Sequence, residues 1–384
     1  MSLISLFTEN DAPAECRIKV GSQQSEISDF YPLLQQVKVE SSRQEATTAT
    51  LTFNTGRDTD GSWEVQDAGI FLPWEPIVIE AVFANSLSGE HSEEVMRGFI
   101  REMSVDYPSD ENAVVTVMCQ DESIALDREH VAKSWGSDAP TTDAAIVAEI
   151  ASDHGLSVHS DSQAGKQSLV LNQDSTDIIF LKDRAKANGY ELIISEGEIY
   201  FGPMRLEMEP QATIMVYAGD ETNCSNFSSN VDSHTPDMVA FDVAAENGSS
   251  VVTQTVEPNL PLMGTTPANS SNSGLPDFTW KMRRDSSGVS EEERMTLAQA
   301  KANELSMKVK AQGTLDGTFY GHVLRVGEPV PVDGIGNWLG GIYYVDNVVH
   351  EFSFEGYRQN FRLIRNAFGD NIESGLLGSL AALI

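Results

Sequence analysis

The chain contains no apolar run approaching the roughly 18 residues that cross a bilayer, so insertion into a membrane is not expected. Cysteine is scarce. Cys16, Cys119 and Cys224 are odd in number and widely separated, which argues against a disulfide framework and against a CxxC zinc cluster. Free, buried thiols are the expectation. Positive charge is also short: 25 Lys and Arg face 58 Asp and Glu, for a formal net charge of -33. Such an excess of carboxylates repels nucleic acid and anionic lipid, so sequence-specific DNA binding is not expected. Two readings of the acidity stay open, a general adaptation to salt or an acidic channel wall along which a polyanion slides without sticking. The N-terminal stretch lacks the basic start and long apolar core of a secretory signal, so folding in the cytoplasm is expected.

The common chemistry-bearing motifs are missing too. There is no GxSxG, no GxxxxGK[ST], and no GxGxxG between a strand and a helix, which leaves nucleophile-elbow and phosphate-loop chemistries without support. Asp58, Asp60 and Gly61 match only part of a calcium loop, because its first position falls on Gly56 and its twelfth on Asp67. A polar turn is the expectation there. His154 and His159 are five apart across a helix stop and do not share a helical face, so they are read as solvated. No catalytic, metal or cofactor-binding residue is expected, no cofactor is expected, and the chain is read as not an enzyme.

What is present is a mixture of two periodicities. A length of 384 residues with 40% hydrophobic content suits two or three domains. Apolar and polar residues alternate over 48–53, and strand signals recur at 17–20, 34–40, 76–83, 95–105 and 113–120, a pattern of antiparallel barrel or sandwich. The period then changes. Thr142 is suited to cap a helix running through His154 with Gly155 as its stop, and Ser175 to cap a second that stops at Gly189. A hairpin follows, with residues 190–194 and 198–201 joined through Ser195, Glu196 and Gly197. Strands resume at 213–217, 237–244 and 251–256, and residues 258–276 read as a polar loop, mobile or draped over a partner. Ser290 and Glu293 form a capping box before an apolar stripe of Ala298, Ala302, Leu305 and Val309, and strands return after Gly313. Residues 343–354 and 357–364 read as a hairpin turning at Glu355-Gly356.

Several of these segments, in order, resemble the phage late control protein D family and the hub portion of type VI secretion spike proteins. They are Met96-Arg97-Gly98-Phe99-Ile100 followed by Gln120-Asp121, the helix ending His154-Gly155-Leu156, the helix and hairpin over 175–201, and the closing stretch with His350 and Gly356-Tyr357. The resemblance implies a mainly β, α+β chain of tail-hub type, with two antiparallel β-barrel domains joined by a small α/β module. The implied division is 1–125 for the first barrel, 126–205 for the α/β module, 206–257 and 312–366 for the second barrel, 258–311 for a loop-plus-helix insertion, and 367–384 for an apolar tail. It further implies a baseplate hub in the virion of a contractile phage, assembled in the host cytoplasm. There a homotrimer would join the tail tube protein to a separate spike protein, contact other baseplate subunits, and let DNA pass through its lumen. An equivalent subunit of a tailocin or extracellular injection particle is the near alternative, and a tail-associated cell-wall hydrolase the distant one. In the tail, Leu376, Leu377, Leu380 and Ile384 are costly to expose and are candidate contacts with the spike or another subunit.

Overall fold

A computed structural model describes residues 12–85, 89–109, 112–244, 251–269, 275–283 and 290–372. The chain is mostly β and divides into two compact units. Unit 1 comprises residues 1–204, 314–326 and 347–361, and unit 2 comprises 205–313, 327–346 and 362–384.

Unit 1 is built on an antiparallel sheet of β1 (Ala12–Val20), β2 (Leu34–Ser42), β3 (Thr48–Thr55), β4 (Pro76–Asn85), β5 (Gly89–Asp106) and β6 (Ala113–Asp121). Their spatial order is β2-β3-β6-β5-β4-β1, and residues 347–353 extend it beyond β2, pairing with residues 36–42. The alternating residues of β3 behave as their period requires: Ala49, Leu51 and Phe53 are buried while Thr48 is exposed. Val37, Ile79, Ile100, Val117 and Phe352, from five different strands, share one core with them, so the sheet curls around that core. The strand order is a path and not a ring, which leaves the curl partly open.

The same unit carries the α/β module. Here β7 (His130–Trp135) pairs with β8 (Leu171–Thr176), and helices α1 (Asp143–Asp153) and α2 (Asp177–Asn188) pack with the hairpin β9 (Glu191–Ser195) and β10 (Glu198–Gly202). Thr142 caps α1 as expected, its Oγ1 accepting the Ala145 N–H at 3.1 Å. Gly189 stops α2 at φ 68°. The N-cap position of α2 is Thr176 and not Ser175, because the ladder with β7 runs on through Thr176, opposite His130, and the helix begins only at Asp177; the Thr176 hydroxyl donates to Asp127 Oδ1 at 2.8 Å and does not cap the helix.

In unit 2, β11 (Met238–Ala244) pairs antiparallel with β12 (Val251–Val256), and helix α3 (Glu291–Ser306) lays Ala298 and Ala302 on their buried face. Ser290 caps α3 through the Glu293 N–H at 3.1 Å. Val309 does not extend the helical stripe. The Ser306 hydroxyl donates to the Asn303 carbonyl and the helix ends there, so Val309 opens the strand Val309–Asp316 before Gly313 is reached. The closing hairpin turns on Phe354 and Glu355, and Gly356, at φ 105°, already begins the strand Gly356–Arg365. The polar loop is tied down at one described position more firmly than its composition suggests. Met263 is buried, its N–H held by Asn366 Oδ1 at 3.0 Å and its carbonyl by Arg365 Nε at 2.7 Å.

Candidate functional site

The residues that carried the resemblance have structural work in unit 1. Gly98 sits opposite Asp121 in the β5–β6 ladder, and a Cβ there would lie 2.0 Å from the Gln120 carbonyl oxygen, so only glycine lets the strands approach. Asp121 turns the chain: its Oδ1 accepts the Ser123 N–H at 3.0 Å and its Oδ2 the Thr47 N–H at 2.5 Å. Burial pushes its carboxyl up, with hydrogen bonds from Ser123 and Thr47 opposing.

In the α/β module, the fully buried Asp143 carboxylate accepts from Arg184 Nε at 2.7 Å and Nη2 at 3.2 Å, from Asn188 Nδ2 at 2.7 Å, and from the Lys166 N–H at 2.8 Å. Four donors on one carboxylate satisfy a buried charge that burial alone would penalise. They fasten the start of α1 to the end of α2.

The closing hairpin supplies a buried pair. His350 Nδ1 lies 2.9 Å from the Tyr357 hydroxyl, and the Tyr357 ring stacks on Phe352 with centroids 4.0 Å apart. A Cβ on Gly317 would lie 2.0 Å from Tyr357 Cδ1, so this glycine makes room for the ring. Burial, with the charge of Arg325 adding to it, depresses the His350 imidazole to about 3.

The other sequence candidates separate. His154 is not merely solvated, since its Nε2 lies 2.9 Å from Asp177 Oδ2 at the start of α2. His159 is 4.0 Å from Glu198. Asp60 is used by its own turn, accepting from Ser62 N–H and hydroxyl. All three cysteines are free thiols. Leu376, Leu377, Leu380 and Ile384 lie outside the described residues.

A cluster that sequence reading passed over lies on β5. His91 and Glu93 are two apart and therefore on one face of the strand. The turn after Gly317–Tyr320 brings His322 to them. Glu93 Oε1 is 2.7 Å from His322 Nδ1 and 3.7 Å from His91 Nε2, while its Oε2 accepts the Val323 N–H at 2.8 Å. One ligand atom from each of the three residues falls within 4.8 Å of the others, the one such grouping among the described residues. Burial raises the Glu93 carboxyl, yet the bonds from His322 and Val323 outweigh it and the net shift is downward. The hydrogen bond to Glu93 raises the His322 imidazole against partial burial. The only sequence signal was the His-x-Glu spacing, because the third member is 229 residues away from Glu93.

Comparison with known structures places the fold. The 43 kDa tail protein of prophage MuSo2 from Shewanella oneidensis is similar with a TM-score of 0.67 at 14% identity, covering 92% of this chain and 99% of that one. A tail protein from Neisseria meningitidis MC58 gives 0.59 at 12% identity, over 92% and 97% of the two chains. An E. coli type VI secretion component, described as similar in structure to T4 tail proteins gp27 and gp5, gives 0.52 at 11% identity, over 91% and 76%. The expected resemblance to tail-hub and spike proteins holds at the level of fold. No curated protein matches the chain. The model of the Alg8 N-terminal domain matches residues 13–353. That match conflicts with the reading of the chain as not an enzyme, and the reading is withdrawn. Since the match runs through both the curled sheet and the α/β module, the chain belongs to the family of the Alg8 N-terminal domain.

Proposed function

We propose that the chain is a hub subunit of a contractile injection apparatus, placed where the tail tube meets the central spike. The observation that carries this reading is the likeness, over 92% of this chain and 99% of its counterpart, to a prophage tail protein. In the proposed arrangement each subunit contributes two barrel-like domains, one built around residues 1–125 and one around 206–257, separated in sequence by the α/β module. Three copies then offer six similar surfaces to a sixfold tube while keeping threefold symmetry for a spike, which resolves the mismatch between the two. The net charge of -33 suits a lumen through which DNA passes, because like charge keeps the polyanion from adhering. Tube, spike and baseplate subunits are the partners in this reading, and the particle's tail is its location.

The test is the assembly state of the purified full-length chain. Mass photometry should find particles of three 41.9 kDa chains, and class averages should show a threefold ring with a central hole. A chain that stays monomeric at every accessible concentration, alone and with its tube protein, overturns the proposal.

A further inference from the structure

We propose that His91, Glu93 and His322 form a binding site for a zinc-like divalent transition metal ion. Two imidazoles and one carboxylate make a donor set that suits zinc and its first-row neighbours, whereas magnesium and calcium favour oxygen ligands alone. Metal–ligand bonds of roughly 2.0–2.2 Å put tetrahedral ligand atoms about 3.4 Å apart. The observed separations of 2.7 and 3.7 Å, with all three atoms inside 4.8 Å, bracket that spacing. Side-chain rotation closes the remaining difference.

Each ligand is also positioned by a neighbour. The His91 ring stacks on Phe83 with centroids 5.1 Å apart, and Tyr320 stands edge-on to His322 at 6.2 Å. Glu93 is anchored by the Val323 N–H on the oxygen that does not face His322. The histidine side chains keep 44% and 52% exposure, so water has access to the fourth position. The ion would take the place of the hydrogen now shared between His322 Nδ1 and Glu93 Oε1, and the imidazole would carry its remaining proton on Nε2. Arg325, the cation that bears on both Glu93 and His322, is paired with Glu196, which moderates its repulsion of a second cation. Occupancy would cross-link β5 to the segment after Gly317 and fasten two parts of unit 1 that are remote in sequence.

The geometry lies within unit 1 and is independent of the hub reading, so either can fail alone. Zinc chloride is titrated calorimetrically into tag-free, chelator-treated full-length protein, with H91A, H322A and H130A as variants. His130 is an exposed histidine paired with Asp174 at 2.8 Å and serves as the control. One saturable site per chain is expected, with the melting temperature rising as it fills. H91A and H322A should each weaken binding by at least about tenfold, a loss in the range that ligand-shell changes produce, and H130A should leave it unchanged. Their half-exposed positions allow both substitutions without disturbing the core, and circular dichroism verifies the fold. A blue-to-green Co2+ absorption band lost in H91A supplies the second readout. The inference is overturned if no saturable zinc binding occurs, or if H91A and H322A bind as the unaltered chain does.

Discussion

His350 should make the stability of this protein fall with acid in a window set by its burial. The imidazole is fully enclosed, 2.9 Å from the Tyr357 hydroxyl, and burial holds it near 3 in the folded chain against an ordinary value of 6.5. Between those values the unfolded chain binds a proton that the folded chain refuses. Stability therefore rises with pH across this interval and is lost as pH falls below 6.5. Well inside the window the slope approaches about 1.4 kcal/mol per pH unit, so a fall from pH 8 to pH 5 costs roughly 2 kcal/mol. Glu122 acts in the other direction: burial raises its carboxyl from 4.5 to about 6, so the folded chain takes up its proton first and gains stability on acidification over that range. Comparison with H350Q removes this term, since both proteins carry Glu122. Urea unfolding of the two at pH 8, 6 and 5 should show the stability gap between them narrowing by about 2 kcal/mol toward acid. A gap that stays constant from pH 8 to pH 5 refutes the reasoning.

Other substitutions probe the packing devices directly. G98A should destabilise by about 3 kcal/mol or more, because its Cβ would meet the Gln120 carbonyl at 2.0 Å, and a thermal melt reads the loss. R184A should cost about 3–5 kcal/mol by leaving the buried Asp143 carboxylate short of two donors, and D143N with R184A together should recover part of it in a double-mutant cycle. S290A should lower stability by about 1 kcal/mol through loss of the α3 cap, with hydrogen exchange accelerating first at the amides of Glu291–Ser306.

Local signals were readable because their chemistry is local. Thr142 and Ser290 cap helices through N–H groups three residues away, and Gly189 stops α2 with a left-handed φ that needs no distant partner. Small misplacements came from competition with the sheet. Ser175 has the chemistry of a cap, but the β7–β8 ladder runs on through Thr176 and α2 begins only at Asp177. Val309 continues a helical spacing on paper, yet α3 ends at Ser306 and Val309 already opens the strand Val309–Asp316. What composition concealed was long-range. The loop at Met263 looked free because its anchors, Arg365 and Asn366, come about a hundred residues later. His322 likewise carried no local mark of its place beside His91 and Glu93. The motif glycines and the His350–Tyr357 pair were visible as a resemblance, while the reason for them, close strand approach and an enclosed aromatic stack, required the packed structure.

The central claim concerns where this chain sits. Cryo-electron microscopy of intact particles from producing cells, resolved with threefold symmetry at the end of the tube, tests it most directly. The account predicts three copies around the axis between tube and spike, with unit 1 recognisable by its curled sheet and α/β module. Density that accounts for that junction without this chain, or that places it away from the axis, contradicts the account.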